Sequence, residues 1–145
     1  MLADLILHNG KVYTQGGLVE AGIAIDRGRI VKIAKEANLP QASMKIDLKG
    51  CIALPGLIDS HVHLRDQELA YREDFLTGTA AAAAGGVTSV LDMPNNRPVT
   101  MDSNSLKDRM RLAEKQIVVN VGFFSAFPER TEEIPLIARE GAVGF

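Results

Sequence analysis

The sequence has few of the features that mark specialised classes of protein. It contains a single cysteine, so no disulfide can form within the chain, which excludes a disulfide-stabilised scaffold and fits a reducing, cytoplasmic location. Its 16 Lys and Arg residues nearly balance 18 Asp and Glu residues. The resulting net charge of −2 gives no attraction for phosphate backbones or anionic lipid. We therefore expect neither nucleic acid nor a membrane among its partners.

Long apolar runs are also lacking. A transmembrane helix needs about 20 mostly apolar residues, and the apolar stretches here are interrupted sooner, as Asn120 interrupts residues 117–127. No basic residue precedes the short apolar stretch near the N-terminus, so we expect no secretory signal. With 46% hydrophobic and 23% charged residues, the composition is that of an ordinary globular protein.

The first third of the chain has the pattern of short strands joined by tight turns. Asn9-Gly10 predicts a hairpin of the strands on either side, because these residue types accept the positive φ angles of a two-residue turn. Asp26-Arg27-Gly28 predicts a second hairpin and Lys49-Gly50 a third. This regular spacing predicts a small β-domain over residues 1–54, formed as a small sheet or as part of a β-sandwich.

From residue 55 onward the pattern changes to alternating strands and helices. Units of about 30 residues with this alternation indicate parallel strands joined by crossover helices. Strands are predicted over 56–64, 87–92 and 118–124, with a fourth opening at 141, and helices over 74–84, from 102 or 103 to about 116, and over 131–140.

These units are too few to close a barrel. A closed (β/α)8 barrel needs eight units and about 250 residues, whereas residues 55–145 hold three and the start of a fourth. The expected fold class is therefore α/β, with the N-terminal part of a TIM-like (β/α)8 barrel following the small β-domain, in a chain that is truncated. A small open α/β sheet that is complete as it stands is the alternative.

The segment from Asp59 to Arg65 concentrates the residues that carry chemistry. Side chains alternate between the faces of a strand, so Asp59, His61 and His63 share one face, joined by Arg65 if the strand continues. Two imidazoles on a buried face are costly unless they are paired or bind a metal, and this spacing lets their ring nitrogens converge on one ion. Asp59 could then orient an imidazole. The alternative is a half-exposed strand whose histidines bind nothing.

Two motifs carry a family resemblance. Residues 54–65 (LPGLIDSHVHLR) resemble the opening of the barrel in the amidohydrolase superfamily, and the Arg after His-x-His-Leu is similar to the cyclic amidohydrolases and, among them, to the dihydroorotases. Residues 85–98 (GGVTSVLDMPNNRP) are similar to the stretch that follows the second strand in that family. With the N-terminal hairpins, the resemblance covers essentially the whole chain.

This resemblance implies a zinc-dependent hydrolase that interconverts dihydroorotate and N-carbamoyl-aspartate in pyrimidine synthesis. His61 and His63 match two ligands of a centre with one or two Zn²⁺ ions, and Arg65 and Asn95 match the residues that bind the substrate carboxylate. The catalytic Asp and the other metal ligands of the family would lie beyond residue 145, so no catalytic residue is expected within this chain and the chain alone is expected to be inactive. A homo-oligomer or a complex with aspartate transcarbamoylase is left open.

The chain departs from the family pattern at two places. Gln67-Glu68 stands where the family usually has Pro-Gly, so the loop after the first barrel strand is expected to follow a different path. Asn96 stands where the family usually has Thr. Asp92, at the end of the second strand, is expected to stabilise a turn rather than to act in the site.

Three alternatives to dihydroorotase follow from the same residues. Allantoinase has a similar His-x-His-x-Arg segment, but Asn95 directly after Pro94 favours dihydroorotase. Hydantoinase or dihydropyrimidinase substrates carry no ring carboxylate, which would leave Arg65 without a partner. The third alternative is a catalytically inactive, dihydroorotase-like subunit that only scaffolds a partner enzyme.

Overall fold

The structure is a computed structural model that describes residues 2–145, and the chain divides into two units between Pro55 and Gly56. None of the helices in this described part is both long and apolar enough to cross a membrane.

Seven strands in two sheets form the first unit. The strands are β1 (Leu2–His8), β2 (Lys11–Thr14), β3 (Gly17–Glu20), β4 (Gly22–Asp26), β5 (Arg29–Ala34), β6 (Gln41–Asp47) and β7 (Ile52–Ala53). One sheet has the order β5-β4-β1-β6 and the other the order β3-β2-β7. Val12 of the second sheet and Ile23 of the first are both buried in one apolar cluster, so the two sheets share part of their core.

Of the three predicted hairpins, the one at Asp26-Arg27-Gly28 is confirmed. β4 and β5 pair antiparallel, with Asp26 opposite Arg29. Arg27 has φ 48° and Gly28 has φ 70°, so both central residues adopt the positive φ angles that a two-residue hairpin turn of this type requires. Local turn chemistry decides the pairing here.

The hairpin predicted at Asn9-Gly10 is wrong. β1 pairs with β4 and β6, whereas β2 pairs with β3 and β7 in the other sheet. Asn9 adopts φ 55°, but its carbonyl accepts from the Gly50 N–H at 2.7 Å instead of closing a turn. A Cβ at Gly10 would lie 2.8 Å from the Cys51 carbonyl oxygen. The chain therefore crosses between sheets beside a distant segment, and glycine permits the close approach.

At Lys49-Gly50 the structure has the predicted turn but not the predicted pairing. Lys49 and Gly50 have φ 50° and 79°, and the Cys51 N–H donates to the Leu48 carbonyl at 2.8 Å. The strands on either side, β6 and β7, nevertheless lie in different sheets, each parallel to a strand from the N-terminal end. The prediction of a third hairpin is therefore wrong.

The second unit consists of three strand–helix pairs. These are β8 (Leu57–Val62), α1 (Phe75–Ala84), β9 (Val87–Asp92), α2 (Ser103–Glu114), β10 (Asn120–Phe123) and α3 (Glu133–Arg139). The strands form a parallel sheet of order β10-β9-β8, which confirms the parallel α/β arrangement. Of the predicted fourth strand, the structure has one parallel bridge between Phe124 and Gly144. Residues 2–145 thus form an open sheet and no closed barrel.

Both longer helices begin at capping boxes. The Asp74 carboxylate accepts from the Thr77 N–H at 2.7 Å, and Asp102 accepts from the Ser105 N–H at the same distance. These backbone hydrogen bonds favour the ionised carboxylates and hold the pKa of Asp74 and of Asp102 below the ordinary value.

The core of this unit lies between the sheet and its helices. Phe75 of α1 packs edge-to-face on Phe123 of β10, with ring centroids 6.1 Å apart. The other buried apolar residues of this core are Leu64, Val90, Leu106, Ala113 and Ile137. Leu64 belongs to this core although it follows β8, so the backbone just beyond the strand is held against the sheet.

Candidate active site

The two histidines of the His-x-His motif lie side by side at the carboxyl end of β8. His61 is on the strand and His63 is one residue beyond its end. Their ring centroids are 5.2 Å apart and the ring planes are nearly perpendicular, at 74°. Asp59 accepts a hydrogen bond from the His61 backbone N–H at 3.1 Å, so its carboxylate contacts the strand itself rather than an imidazole.

Asn95 connects His63 to Arg65. Its Oδ1 lies 2.7 Å from His63 Nδ1 and 3.5 Å from Arg65 Nη1. A guanidinium can only donate, so the amide oxygen must face both groups and His63 must donate from a protonated Nδ1. In the neutral imidazole this arrangement leaves the lone pair on His63 Nε2, and the Asn95 amide nitrogen remains available as a donor.

Arg65 reaches this position from a loop rather than from a continued strand. β8 ends at Val62, and Arg65, Asp66 and Gln67 have φ angles of 53°, 55° and 50°. Three consecutive non-glycine residues in the left-handed region are strained and persist only where the surroundings hold them. One such contact is the buried Asp66 carboxylate, whose Oδ2 accepts from the Phe75 N–H at 3.0 Å.

A buried ion pair lies beneath the loop. Asp92, at the end of β9, is 1% exposed, and its Oδ2 accepts from Arg109 Nε at 2.8 Å and from Nη2 at 2.6 Å. Its Oδ1 accepts from the Leu64 N–H at 2.9 Å, so Asp92 stabilises the turn after β8, as expected from the sequence. Burial raises the pKa of Asp92, and the positive charge of Arg109 and the Leu64 hydrogen bond oppose that shift.

Arg109 was missed by sequence reasoning. Its Nη1 donates to the Arg65 carbonyl at 2.9 Å and to Gln67 Oε1 at 3.0 Å, and its guanidinium carbon lies 4.6 Å from the centre of the Phe75 ring. The signal was helical spacing, because Arg109 follows Leu106 by three residues and precedes Ala113 by four on the buried face of α2. A charged residue at such a position implies a buried partner.

The histidine pair suits part of a zinc site. Zinc accepts imidazole nitrogens, and a histidine that donates from Nδ1 to an oxygen acceptor is fixed in the tautomer that binds through Nε2. His63 meets that condition through Asn95. Within residues 2–145, no group of three or more His, Cys, Asp or Glu side chains is arranged to hold a metal ion. The chain thus supplies two nitrogen donors, and further ligands would have to come from elsewhere.

The cleft that reaches His63 is small. It encloses about 230 Å³ and is also lined by Asp59, Glu73 and apolar residues of β8, β9 and α1. Pockets for small ligands usually enclose about 300–1,000 Å³. The cleft beside His63 is therefore smaller than a usual pocket for a small ligand.

Comparisons with known proteins show similarity to dihydroorotases, allantoinases and hydantoinases. The chain is 35% identical to a dihydroorotase of Methanosarcina mazei over 144 residues, covering 99% of this chain and 32% of that protein. It is 38% identical to an allantoinase of Enterococcus faecalis over 128 residues, covering 86% of this chain and 28% of that protein. The structure matches an L-hydantoinase (dihydropyrimidinase) from Arthrobacter aurescens with a TM-score of 0.91 and 30% identity, covering 99% of this chain and 32% of that one.

These matches identify the family of the chain and the portion of its relatives to which the chain corresponds. The chain spans about a third of the length of its relatives, from their N-terminal portion. Residues 52–142, which include the histidine pair, Arg65 and Asn95, match the model of the amidohydrolase family. With the relatives named above, that match shows that the chain belongs to the amidohydrolase family, within its group of dihydroorotases, allantoinases and hydantoinases.

Proposed function

We propose that this chain forms the N-terminal part of a zinc-dependent dihydroorotase. The reaction is the reversible hydrolysis of the cyclic amide of dihydroorotate to N-carbamoyl-aspartate. The observation that carries the proposal is the contact between Arg65 and Asn95 beside the histidine pair. Both side chains follow neighbouring parallel strands, at the end of the sheet where the active sites of barrel enzymes are built.

Arg65 and Asn95 together suit a carboxylate. A planar guanidinium can donate two parallel hydrogen bonds to the two carboxylate oxygens. The Asn95 oxygen faces Arg65 and His63, so the amide nitrogen can add a third donor. A carboxylate bound there would hold the substrate ring next to His61 and His63. Dihydroorotate carries such a carboxylate, whereas allantoin, hydantoin and dihydrouracil do not.

His61 and His63 are the residues of this chain that would hold the metal. A bound zinc ion supplies Lewis acidity, which polarises a carbonyl and lowers the pKa of water. The protein's own contribution is to fix the ligands, since the hydrogen bond from His63 Nδ1 to Asn95 sets both the tautomer and the ring orientation. The same asparagine thus couples the metal ligand to the residues that bind the carboxylate.

We further propose that the whole protein, meaning the longest chain that its gene encodes, closes a (β/α)8 barrel on the open sheet described above. Support comes from the length of the relatives and from the exposed apolar side chains of β8, where Leu57 is 56% and Ile58 is 70% exposed. Two imidazoles are too few ligands for a zinc centre, so residues 1–145 alone are expected to be inactive.

The test is hydrolysis of four cyclic amides by the purified whole protein: dihydroorotate, dihydrouracil, allantoin and hydantoin. We expect chelator-sensitive turnover of dihydroorotate, restored by zinc, with little turnover of the other three. Dihydrouracil is the sharpest comparison, because it is the dihydroorotate ring without the carboxylate.

Other outcomes would contradict the proposal in distinct ways. Turnover of allantoin alone would make the protein an allantoinase, like its relative in Enterococcus faecalis. Equal turnover of dihydroorotate and dihydrouracil would remove the carboxylate role from Arg65 and Asn95. Turnover of none, with no bound metal, would favour an inactive subunit that scaffolds a partner enzyme.

A further inference from the structure

The two loops that carry Arg65 and Asn95 are joined by a hydrogen bond between neighbouring side chains. Asn96 Nδ2 donates to Gln67 Oε1 at 2.9 Å. Gln67 is two residues after Arg65, and Asn96 directly follows Asn95. This contact is thus a direct link between the loop after β8 and the loop after β9, in addition to the Arg65–Asn95 contact.

Each end of this link is anchored in the protein interior. The Gln67 side-chain oxygen also accepts from Arg109 Nη1 at 3.0 Å, and the same nitrogen donates to the Arg65 carbonyl at 2.9 Å. Arg109 in turn is fixed by its ion pair with Asp92, and both side chains are almost fully buried. Arg109 Nη1 therefore donates both to the Gln67 side chain and to the backbone carbonyl of Arg65, the residue that Gln67 would position.

Asn96 is held as firmly on its side. It is 2% exposed; its Nδ2 also donates to the Pro98 carbonyl at 2.7 Å, and its Oδ1 accepts from Thr100 Oγ1 at 3.1 Å. Every polar atom of the side chain is used, so it can adopt one orientation only. Because the Asn96 amide is fixed on the neighbouring loop, its hydrogen bond holds the Gln67 side chain in one position.

The backbone of the loop after β8 is strained, and the Gln67–Asn96 hydrogen bond opposes relaxation of that strain. Arg65, Asp66 and Gln67 have three consecutive positive φ angles. Without support from the surroundings, a loop of these residues would relax to a less strained backbone conformation. Gln67, together with Glu68, and Asn96 stand where the family that the motifs resemble usually has other residues, and the structure places Gln67 and Asn96 in contact.

We propose that Gln67 and Asn96 are positioning residues that set the spacing of Arg65 and Asn95, and thereby make the site selective for a substrate with a ring carboxylate. The proposal rests on the proposed function for its substrate. Its first test does not, because the order of the Arg65 loop can be measured without turnover.

The first measurement is hydrogen exchange of the backbone amides of residues 65–69 in the whole protein. Gln67→Met keeps the length of the side chain and removes its acceptor, so we expect exchange in this segment to rise about tenfold. Gln67→Glu keeps an acceptor oxygen toward Asn96 and Arg109 and should stay close to wild type. Glu68→Met, a change of the adjacent exposed side chain, is the matched control and should leave exchange unchanged.

The second measurement is the ratio of kcat/KM for dihydroorotate to kcat/KM for dihydrouracil. In Gln67→Met we expect this ratio to fall about tenfold, through a higher KM for dihydroorotate with kcat nearly unchanged. Bound zinc should stay at the wild-type level.

Two results would overturn the proposal: unchanged exchange in Gln67→Met, or raised exchange with an unchanged substrate ratio. If Gln67 had only a structural role, Gln67→Met would lower stability and the turnover of both substrates together. The ratio of the two kcat/KM values would then stay unchanged, whereas a positioning role lowers it. If the wild-type protein does not hydrolyse dihydroorotate, the proposed function fails by itself. The exchange experiment then decides alone whether Gln67 positions Arg65.

Discussion

Removing the Arg109 guanidinium tests the buried support beneath the site. In Arg109→Met, the Asp92 carboxylate would remain almost fully buried with one hydrogen bond, from the Leu64 N–H. Breaking a buried ion pair from one side typically costs about 3–5 kcal/mol. Protonation of Asp92 sets an upper limit on this cost. Neutralising a carboxyl of ordinary pKa 3.8 at pH 7 requires about 4 kcal/mol, because each pH unit above the pKa costs about 1.36 kcal/mol. We therefore expect a loss of about 3–4 kcal/mol in the free energy of unfolding at pH 7.

The pH dependence of that loss identifies its cause. The pKa of Asp92 is already raised by burial, and losing Arg109 would raise it further. The native variant would then bind a proton that the unfolded chain releases above pH 3.8, so its stability increases as the pH falls. Between pH 7 and pH 5, the deficit relative to wild type should shrink by up to about 1.4 kcal/mol per pH unit.

The assay is urea unfolding of the whole protein at pH 5, 6 and 7. The control is the double variant Asp92→Asn, Arg109→Met, which keeps an acceptor for the Leu64 N–H and removes the titrating group. Its deficit relative to wild type should vary much less with pH than that of the single variant. A loss below about 1 kcal/mol at pH 7, or the same pH dependence in single and double variants, would refute the reasoning.

Three further predictions concern the site and its scaffold. His61→Ala should lower bound zinc and turnover together, and a fully metallated, active variant would contradict its assignment as a ligand. Arg65→Ala should raise the KM for dihydroorotate at least tenfold with zinc content unchanged, measured by kinetics and metal analysis; equal loss of both would make Arg65 structural. Asp102→Ala should destabilise the protein by about 1 kcal/mol at pH 7 through loss of the α2 cap, measured by urea unfolding. Because the cap holds the pKa of Asp102 below 3.8, this difference should persist at neutral pH and disappear as the pH falls through the native pKa.

Local signals account for the elements that were predicted correctly. Asp74 and Asp102 begin helices because a capping carboxylate and its partner lie three residues apart, so the interaction is complete within one turn. The β4–β5 hairpin is equally local, since Arg27 and Gly28 supply both positive φ angles themselves. The motif around His61 and His63 is of the same kind, because both rings project from one short segment.

The errors arise where distant segments compete for the same backbone groups. Asn9-Gly10 has the residue types of a hairpin, yet the Asn9 carbonyl accepts from Gly50, about 40 residues further along the chain. Arg109 also depends on distant segments, because its ion-pair partner Asp92 lies on β9 and its other hydrogen bonds go to the loop after β8. No local pattern specifies such pairs, although a charged residue on the buried face of α2 indicates that one exists.

The sequence by itself determined the parallel α/β unit and its helices, because periodicity and capping act over a few residues. For His61, His63, Arg65 and Asn95, the resemblance of two short motifs supports an assignment that stays a prediction. Only the tertiary structure decided which strands pair in the N-terminal unit, and that the Arg65 loop rests on Arg109, Gln67 and Asn96. Those contacts join elements about 30 to 45 residues apart, where the geometry of the whole fold determines which donor meets which acceptor.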